Sequence, residues 1–460
     1  MSEVERSEAE RDSPKSGPTA SSDNRSILKN FGWLSSGRFL TLLISLPISI
    51  LVARHLGPKD FGVLSYSLAI VNLLTPLTGS GLNSIVVRNT AREGRECVTT
   101  MGSASVLQSV GGMFTVFLAP LVALALRPDD PLVLTLVAVA SARNVFSVAN
   151  VFDYHFQAKS ENQKAVKSRL TATIATAVVK VLLVALQMPL LFFAAASSLE
   201  AAITAILFYA VYRSSGNSVR SWKVDRGTVA NLLRESWPLT VTGFAIIAQA
   251  YVDQVMLGEM KGDEAVGQYS VAIRLISVIG FAGLSLQKAL APSIAKAKKA
   301  GLAAYRSALS KQYQLCVLLF LAQAIPTFLF AELAVRLLYG EAFSEAGRLL
   351  PWLAIRLFFS NFGIARSTYI ANESLFRHSM MTAFAGLATN AVANLFLIPA
   401  YGATGAIVGT VLSFIVTTFL IDGIVGRTRE NFYLMVKAPL DVLRNGFAGL
   451  KRRMQSATAQ

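Results

Sequence analysis

The chain has 460 residues, of which 53% are hydrophobic and 15% are charged, and its formal net charge is +16. Soluble domains carry about 25% charged residues, so this composition excludes an ordinary water-soluble surface and requires much of the protein to lie in lipid. The basic residues form short clusters between long apolar segments, which is typical of a membrane protein, so we expect no nucleic-acid partner.

Residues 1–26 mix acidic residues with Arg, Ser and Pro, and they lack the apolar core of a signal peptide. We expect them to form a disordered cytoplasmic tail. The two cysteines, Cys97 and Cys316, lie in or beside segments that we place on the cytoplasmic side. A structural disulfide is therefore not expected.

Twelve apolar segments are long enough, at roughly 17 to 25 residues each, to cross a bilayer as helices. They fall into an N-terminal lobe at 27–212 and a C-terminal lobe at 238–426, joined by a basic cytoplasmic connection at 213–237. We predict an all-α integral membrane protein with about twelve transmembrane helices in two six-helix lobes. The predicted segments are 31–52, 61–87, 103–125, 131–152, 170–188, 190–212, 238–257, 269–290, 313–339, 350–371, 376–400 and 402–423.

Lysine and arginine are concentrated in the loops on one side of these segments and are sparse in the loops on the other side. Because basic loops resist translocation, we place both termini in the cytoplasm. The tail at 427–460 alternates apolar and basic residues. This pattern predicts an amphipathic helix that lies against anionic membrane lipids.

A short glycine-containing turn occurs once in each half of the chain. Gly57 and Gly62 stand five positions apart, as do Gly262 and Gly267, and Tyr-Ser-x-Ala follows each pair. This similarity predicts a parallel internal repeat. We interpret the two turns as equivalent outward-facing corners, where glycine permits tight connections between tilted helices.

The sequence contains no phosphate-binding G-x-x-x-x-G-K-[ST] loop, and its three histidines have no metal-ligand spacing. We therefore predict no enzymatic activity, no catalytic residue, no metal and no cofactor. Transport would draw on an H+ or Na+ gradient or on the gradient of the substrate itself.

Polar residues inside the apolar segments are the candidate site, because each charge facing lipid would cost about 2.5 to 3.5 kcal/mol. They recur at helical spacing and predict a cationic, hydroxyl-lined cavity that suits an anionic headgroup such as a pyrophosphate. The alternative is that some of these side chains only reach the membrane surface. The candidates are Arg38, Arg143, Ser147, Asn150, Arg274 and Arg356.

Three further charged residues lie within predicted helices. Lys180 is nine residues before Pro189 and Glu200 is eleven after it, so their depths differ by only about 3 Å. They could form a neutralising buried pair, or Glu200 could exchange protons during the transport cycle. Lys180 is also a candidate for contact with the substrate. Asp253 is a candidate for ion binding, although a polar helix end would also explain it.

Several motifs resemble the polysaccharide flippases of the multidrug, oligosaccharidyl-lipid and polysaccharide exporter superfamily. The resemblance extends over roughly residues 27–427 and depends on the order and spacing of its pieces. These are LGPxxFG at 56–62, YSxA at 66–69, DQ at 253–254, AVGxYxxA at 265–272 and NLxLIPxYGxxGA at 394–406.

The resemblance implies two lobes around a central cavity that opens alternately to each side and moves a polyprenyl-pyrophosphate-linked oligosaccharide across the inner membrane. It also implies contacts with membrane lipids, a polysaccharide polymerase and chain-length machinery. Drug exporters of the superfamily commonly use an acidic residue in the first helix, whereas this first segment contains Arg38 and no carboxylate. The alternatives are an ion-coupled multidrug exporter of the same superfamily and a membrane scaffold of a polysaccharide synthase.

Overall fold

The computed structural model describes the backbone of residues 20–79, 81–93 and 97–457, and the side chains within residues 39–79, 81–92 and 97–444. Every regular element in this part of the chain is helical, so the predicted all-α fold is confirmed. The helices are α1 (Ala20–Leu74), α2 (Leu82–Glu93), α3 (Cys97–Leu126), α4 (Pro131–Ser141), α5 (Asn150–Ala158), α6 (Asn162–Ala185), α7 (Leu190–Ser214), α8 (Arg226–Lys261), α9 (Asp263–Ala300), α10 (Leu302–Tyr339), α11 (Ser344–Asn372), α12 (Phe376–Phe414), α13 (Ile421–Ile424) and α14 (Gly426–Ala457).

Two of these helices contain a break at a glycine. Gly57 interrupts α1 with φ 72°, and Gly402 interrupts α12 with φ 56°. A Cβ at either position would meet no neighbour within 4 Å, so the positive φ is what requires glycine there. Each of these two helices therefore contains parts of two predicted membrane segments, one on each side of the glycine break.

Nine helical stretches among the described residues are long and apolar enough to cross a membrane, which makes this a multi-pass membrane protein. Two of the nine contain the glycine breaks. Helix α11, which carries Arg348, Arg356 and Arg366, is not among them, although it packs against α9 and α10 in the C-terminal lobe. The number of twelve spans stays a prediction.

Shorter irregular pieces complete the helices. A 3₁₀ segment, Ala142–Ala149, joins α4 to α5, and a π-helical segment, Ile415–Leu420, joins α12 to α13. The connection between the lobes ends at Asp225, whose carboxylate caps α8 by accepting a hydrogen bond from the backbone N–H of Thr228. This bond lowers the pKa of Asp225.

The ends of the chain differ partly from expectation. Residues 1–19 of the predicted tail lie outside the described residues, and α1 already begins at Ala20. The C-terminal tail forms α14, which packs against α10 with Met435 and Ala438 fully buried. Tyr433 and Leu440 remain more than 60% exposed, so α14 presents apolar groups both to the lobe and outward.

Among the described residues, buried apolar side chains form one central cluster and two smaller ones. The central cluster joins both lobes through Phe61 and Tyr66 of α1 and Leu257 of α8. Large apolar side chains on the outer surface, such as Phe396, which is 74% exposed, indicate faces in contact with lipid. Beside the central cluster, polar residues of both lobes line a cavity.

Candidate functional site

The cavity between the lobes has two adjoining chambers. The larger has a volume of about 310 Å³ and lies between α1, α8 and α9, and the smaller has about 140 Å³ and lies between α1, α6 and α7. Ser45, Ser49 and Arg274 line both chambers. The other polar lining residues are Ser65, Asn72, Tyr251, Gln254, Ser270 and Ser277 in the larger chamber, and Thr173, Thr176, Lys180, Ser197 and Glu200 in the smaller one.

Arg274 reaches from α9 in the C-terminal lobe to α1 in the N-terminal lobe. Its Nη1 donates a hydrogen bond to Ser49 Oγ, and its guanidinium carbon lies 4.8 Å from the centre of the Phe61 ring. Among the described side chains, no carboxylate lies within ion-pair distance of it. The charge of Arg274 is therefore held by a hydroxyl and an aromatic face.

Arg143 lies behind the wall of the larger chamber. Its Nη2 donates to Asn72 Oδ1 at 2.5 Å and to Thr75 Oγ1 at 3.1 Å, and Asn72 itself lines the chamber. The described part of the chain provides no carboxylate partner for this arginine either. Arg143 thus brings a second uncompensated positive charge close to the cavity.

The predicted polar stripe of the fourth segment is not formed as a single face. Ser147 donates to the carbonyl of Gln108 at 3.1 Å, Asn150 begins α5, and neither lines a chamber. The reason is the 3₁₀ segment, which has about 3.0 residues per turn instead of 3.6 and so rotates these residues away from Arg143. Ser147 connects helices instead.

Lys180 and Glu200 are brought together across α6 and α7. Lys180 Nζ lies 3.9 Å from Glu200 Oε2, while Thr173 Oγ1 donates to Glu200 Oε1 at 3.0 Å. Both charged side chains line the smaller chamber and are 27% and 34% exposed. The pair is loose and accessible from the cavity, so its residues can also contact a substrate.

Arg356 and Arg38 are two further predicted site residues. Arg356 packs its guanidinium over the ring of Phe414, with 5.9 Å between the guanidinium carbon and the ring centre, and lines neither chamber. The side chain of Arg38 lies outside the described residues.

Asp253 lies deep in the C-terminal lobe rather than at an exposed helix end. It is 2% exposed, and its carboxylate accepts hydrogen bonds from Tyr269 Oη at 2.9 Å, Asn394 Nδ2 at 2.8 Å and Thr410 Oγ1 at 2.5 Å. All three donors are neutral. The buried amide oxygens of Asn390 and Asn394 have no hydrogen-bond partner. Asp253 is therefore not simply a polar residue at a helix end. Its carboxylate is enclosed by Tyr269, which is 16 positions away in the sequence, and by residues more than 140 positions away.

A third cavity, of about 600 Å³, lies at the predicted cytoplasmic side and was not foreseen. Its wall contains an ion pair between Asp153, which is 3% exposed, and Arg169 at 2.7 Å. Thr41 and Lys288 line the cavity from α1 and α9. The feature of the sequence that could have indicated this cavity is Asp153 itself, an acidic residue directly after a predicted apolar segment.

On the predicted outward side, Arg127 joins the two lobes. It lies between α3 and α4 and contacts Glu259 at 2.9 Å and Asp263 at 2.8 Å, and it donates to the carbonyl of Gly258 at 2.9 Å. Its guanidinium carbon also lies 4.1 Å from the ring centre of Tyr66. The sequence indicated this contact only through the position of Arg127, an arginine in a loop on the predicted outward side, where basic residues are few.

Arg366, His378 and Asp422 form a buried network in the C-terminal lobe. Arg366 contacts both carboxylate oxygens of Asp422 at 2.6 Å, and His378 Nε2 lies 2.7 Å from Oδ1. Asp422 is fully buried. The described residues contain no group of three or more His, Cys, Asp or Glu side chains that could hold a metal ion.

Residues 27–298, more than half of the chain, match the family described as polysaccharide biosynthesis protein, and residues 238–396 match the family described as MatE. A protein of Shigella flexneri named "Putative O-antigen transporter" is 23% identical over 430 residues, which cover 87% of this chain and 98% of that relative.

Solved structures of transporters share the fold. The lipid II flippase MurJ in an inward closed conformation superposes with a TM-score of 0.67 at 13% identity, covering 90% of this chain and 92% of that one. A transporter of the MOP superfamily from Pyrococcus furiosus has a TM-score of 0.63 at 16% identity, covering 90% and 95%. An inward-facing multidrug transporter of the MATE family has a TM-score of 0.62 at 14% identity, covering 88% and 95%.

These similarities confirm the resemblance that the sequence motifs indicate. The family match covers both the first lobe and the start of the second, and the structural similarity covers about nine tenths of the chain. The protein is therefore a member of the polysaccharide biosynthesis protein family and has the fold of the MOP superfamily of transporters.

Proposed function

We propose that the protein is a flippase that moves a lipid-linked oligosaccharide, carried on polyprenyl pyrophosphate, from one leaflet of the inner membrane to the other. The observation that carries this proposal is the charge of the cavity between the lobes. Arg143, Arg274 and Lys180 lie in or against its wall, and Glu200 is the only carboxylate among its described lining residues.

The two arginines have neutral partners only, so the substrate can supply the missing negative charge. A guanidinium binds phosphate oxygens through paired, charge-assisted hydrogen bonds, which makes a pyrophosphate a suitable ligand for Arg274. Hydroxyl and amide groups around it, such as Ser277 and Gln254, can bind sugar hydroxyls. The polyprenyl chain would stay in the bilayer, where its burial costs nothing.

The named relatives support this class of cargo. One is named "Putative O-antigen transporter" and another is a lipid II flippase. We further propose that both termini lie in the cytoplasm and that a polysaccharide polymerase and chain-length machinery act on the exported product.

An ion-coupled multidrug exporter is the second candidate, because residues 238–396 match the MatE family and MATE transporters share the fold. A site for cationic drugs requires an excess of acidic groups. The chambers have one described carboxylate against Arg274 and Lys180, so their charge favours an anion. A scaffold without transport would not need this cavity.

We also propose that Asp253 is the coupling site. Its buried carboxylate, with the hydroxyl oxygens of Tyr269 and Thr410 beside it, offers oxygen atoms that suit Na+ or a proton on the carboxylate. The amide oxygens of Asn390 and Asn394, which have no hydrogen-bond partner, are buried in the same lobe. Its three donors are neutral, and no basic side chain of the described residues lies within ion-pair distance of Asp253, so its carboxylate has no direct counter-ion. Binding a cation there would supply one.

The proposal is tested by transport of a fluorescent polyprenyl-pyrophosphate glycan in proteoliposomes. The variant R143Q/R274Q removes both charges, and R336Q is the matched control because Arg336 is 70% exposed and pairs with an exposed glutamate. We expect the double variant to lower the flipping rate at least about tenfold, as expected for loss of charge-assisted hydrogen bonds. Unchanged flipping of the glycan lipid, or transport of cationic dyes instead, would refute the proposal.

A further inference from the structure

A separate cavity of about 420 Å³ lies at the predicted cytoplasmic end of the C-terminal lobe. It is formed where the turn between α11 and α12 meets the junction of α13 and α14. Ser374 and Arg377 line the cavity from the turn and the start of α12, and Val425 and Arg427 line it from the junction of α13 and α14. The residues of the cavity between the lobes are not part of it.

The charge of this cavity is positive. Arg377 and Arg427 both line it and are exposed, and within the described residues neither lies within ion-pair distance of a carboxylate. Behind the wall, Asp422 is already bound through both oxygens by Arg366 and is in contact with His378. The acidic residues nearest to the two arginines along the chain, Glu373 and Glu430, pair with Lys298 and Arg306. Two guanidinium groups are therefore free to bind one anion.

The helix geometry adds to this charge. Helices α12 and α14, which have 39 and 32 residues, both begin at the cavity, at Phe376 and Gly426. Helix N-termini carry partial positive charge and backbone N–H groups that lack partners within the helix. They strengthen the binding of a phosphate that the two arginines attract.

The rim of the cavity is apolar. Phe376 is 62% exposed, the neighbouring Ile424 is 74% exposed, and Val425 is 36% exposed. These residues lie where two predicted membrane segments end, at the level of the lipid headgroups. A free phosphate would make no use of such a rim, whereas the acyl chains of a lipid would pack against it.

We propose that this cavity binds the phosphate of an anionic phospholipid of the inner leaflet, with the acyl chains against Phe376 and Ile424. Basic pockets between membrane helices on the cytoplasmic side are suited to such headgroups. The bound lipid would hold the start of α14 against the start of α12. This site lies apart from the cavity between the lobes, so it does not depend on the identity of the transported cargo.

The full-length protein, purified and delipidated in a neutral detergent, is titrated with phosphatidylglycerol and with phosphatidylcholine, and bound lipid is counted by native mass spectrometry. The test variant is R377Q/R427Q. The matched control is R429Q, because Arg429 lies in the same turn of α14 and is exposed but donates to the carbonyls of Gly423 and Ile424 instead of lining the cavity.

We expect wild type and R429Q to prefer phosphatidylglycerol, and each arginine of the pair to contribute about fivefold in affinity. The double variant should lose this preference while keeping a single symmetric elution peak, since both replaced side chains are exposed. Equal binding of the two lipids by the wild type, or an unchanged preference in the double variant, would overturn the proposal. Binding of inorganic phosphate without any preference between the lipids would also overturn the assignment to a phospholipid.

Discussion

Gly62 and Asp263 are in backbone contact: a Cβ on Gly62 would lie 1.8 Å from the carbonyl oxygen of Asp263. The contact is reciprocal, because a Cβ on Gly267 would lie 2.0 Å from the carbonyl oxygen of Pro58. The two glycine turns of the internal repeat therefore meet directly. They hold the second half of α1 and the start of α9 together at the predicted outward side.

A side chain at Gly62 should force this contact apart. We expect G62A to lower the melting temperature and to impair transport, because the obstacle is backbone that cannot move without shifting a lobe. G426A is the control, since a Cβ at Gly426 meets nothing within 4 Å. Thermal unfolding in detergent gives the comparison, and equal melting temperatures for the two variants would contradict the expectation.

The ion pairs of Arg127 should keep the predicted outward side closed. In R127Q the bonds to Glu259, Asp263 and the carbonyl of Gly258 are lost or weakened, so opening should become more frequent. We expect faster thiol labelling from outside at Cys introduced for Ser270, which is 2% exposed and lines the larger chamber.

The labelling is measured in a protein whose two native cysteines are replaced by serine. R336Q serves as the control for loss of one exposed arginine on the same predicted side. Labelling of R127Q at the rate of R336Q would show that Arg127 does not restrain opening.

Replacement of Glu200 by glutamine separates a structural role from a functional one. The distance of 3.9 Å and the exposure of both partners imply that the ion pair with Lys180 contributes at most about 1 kcal/mol to stability. We therefore expect E200Q to leave protein abundance unchanged while slowing transport, because the chamber becomes more positive and holds an anion longer. A fall in abundance with normal transport per molecule would indicate a structural pair.

Asp253 should determine the response to cations. If Na+ binds at its carboxylate, Na+ but not K+ at the same ionic strength should raise the melting temperature, and D253N should abolish this shift. D60N is the control, since Asp60 is exposed. A proton-coupled protein would instead show no Na+ shift and would lose pH-driven transport in D253N. Retention of both responses in D253N would exclude Asp253 as the coupling site.

Much of the fold follows from the sequence, because apolar length and the distribution of basic residues are local properties. Counting residues from Pro189 also places Lys180 and Glu200 at similar depth, and they lie within 4 Å of each other. Ser147 could not be placed in this way, since the 3₁₀ segment changes the helical period. The surroundings of Asp253 could not be predicted from the sequence either, because Asn394 and Thr410 come into contact with it only when three helices pack together.

Helix α14 has a practical consequence for anyone who handles this protein. Tyr313 of α10 donates to Asn431 at 2.6 Å, and Met435 and Ala438 complete the buried cluster of the second lobe. Deleting everything after the last predicted membrane segment would leave that cluster without its cover. Affinity tags and fluorescent fusions therefore belong after α14, and a shortened chain that ends before Asn431 should be recovered in lower yield from membranes.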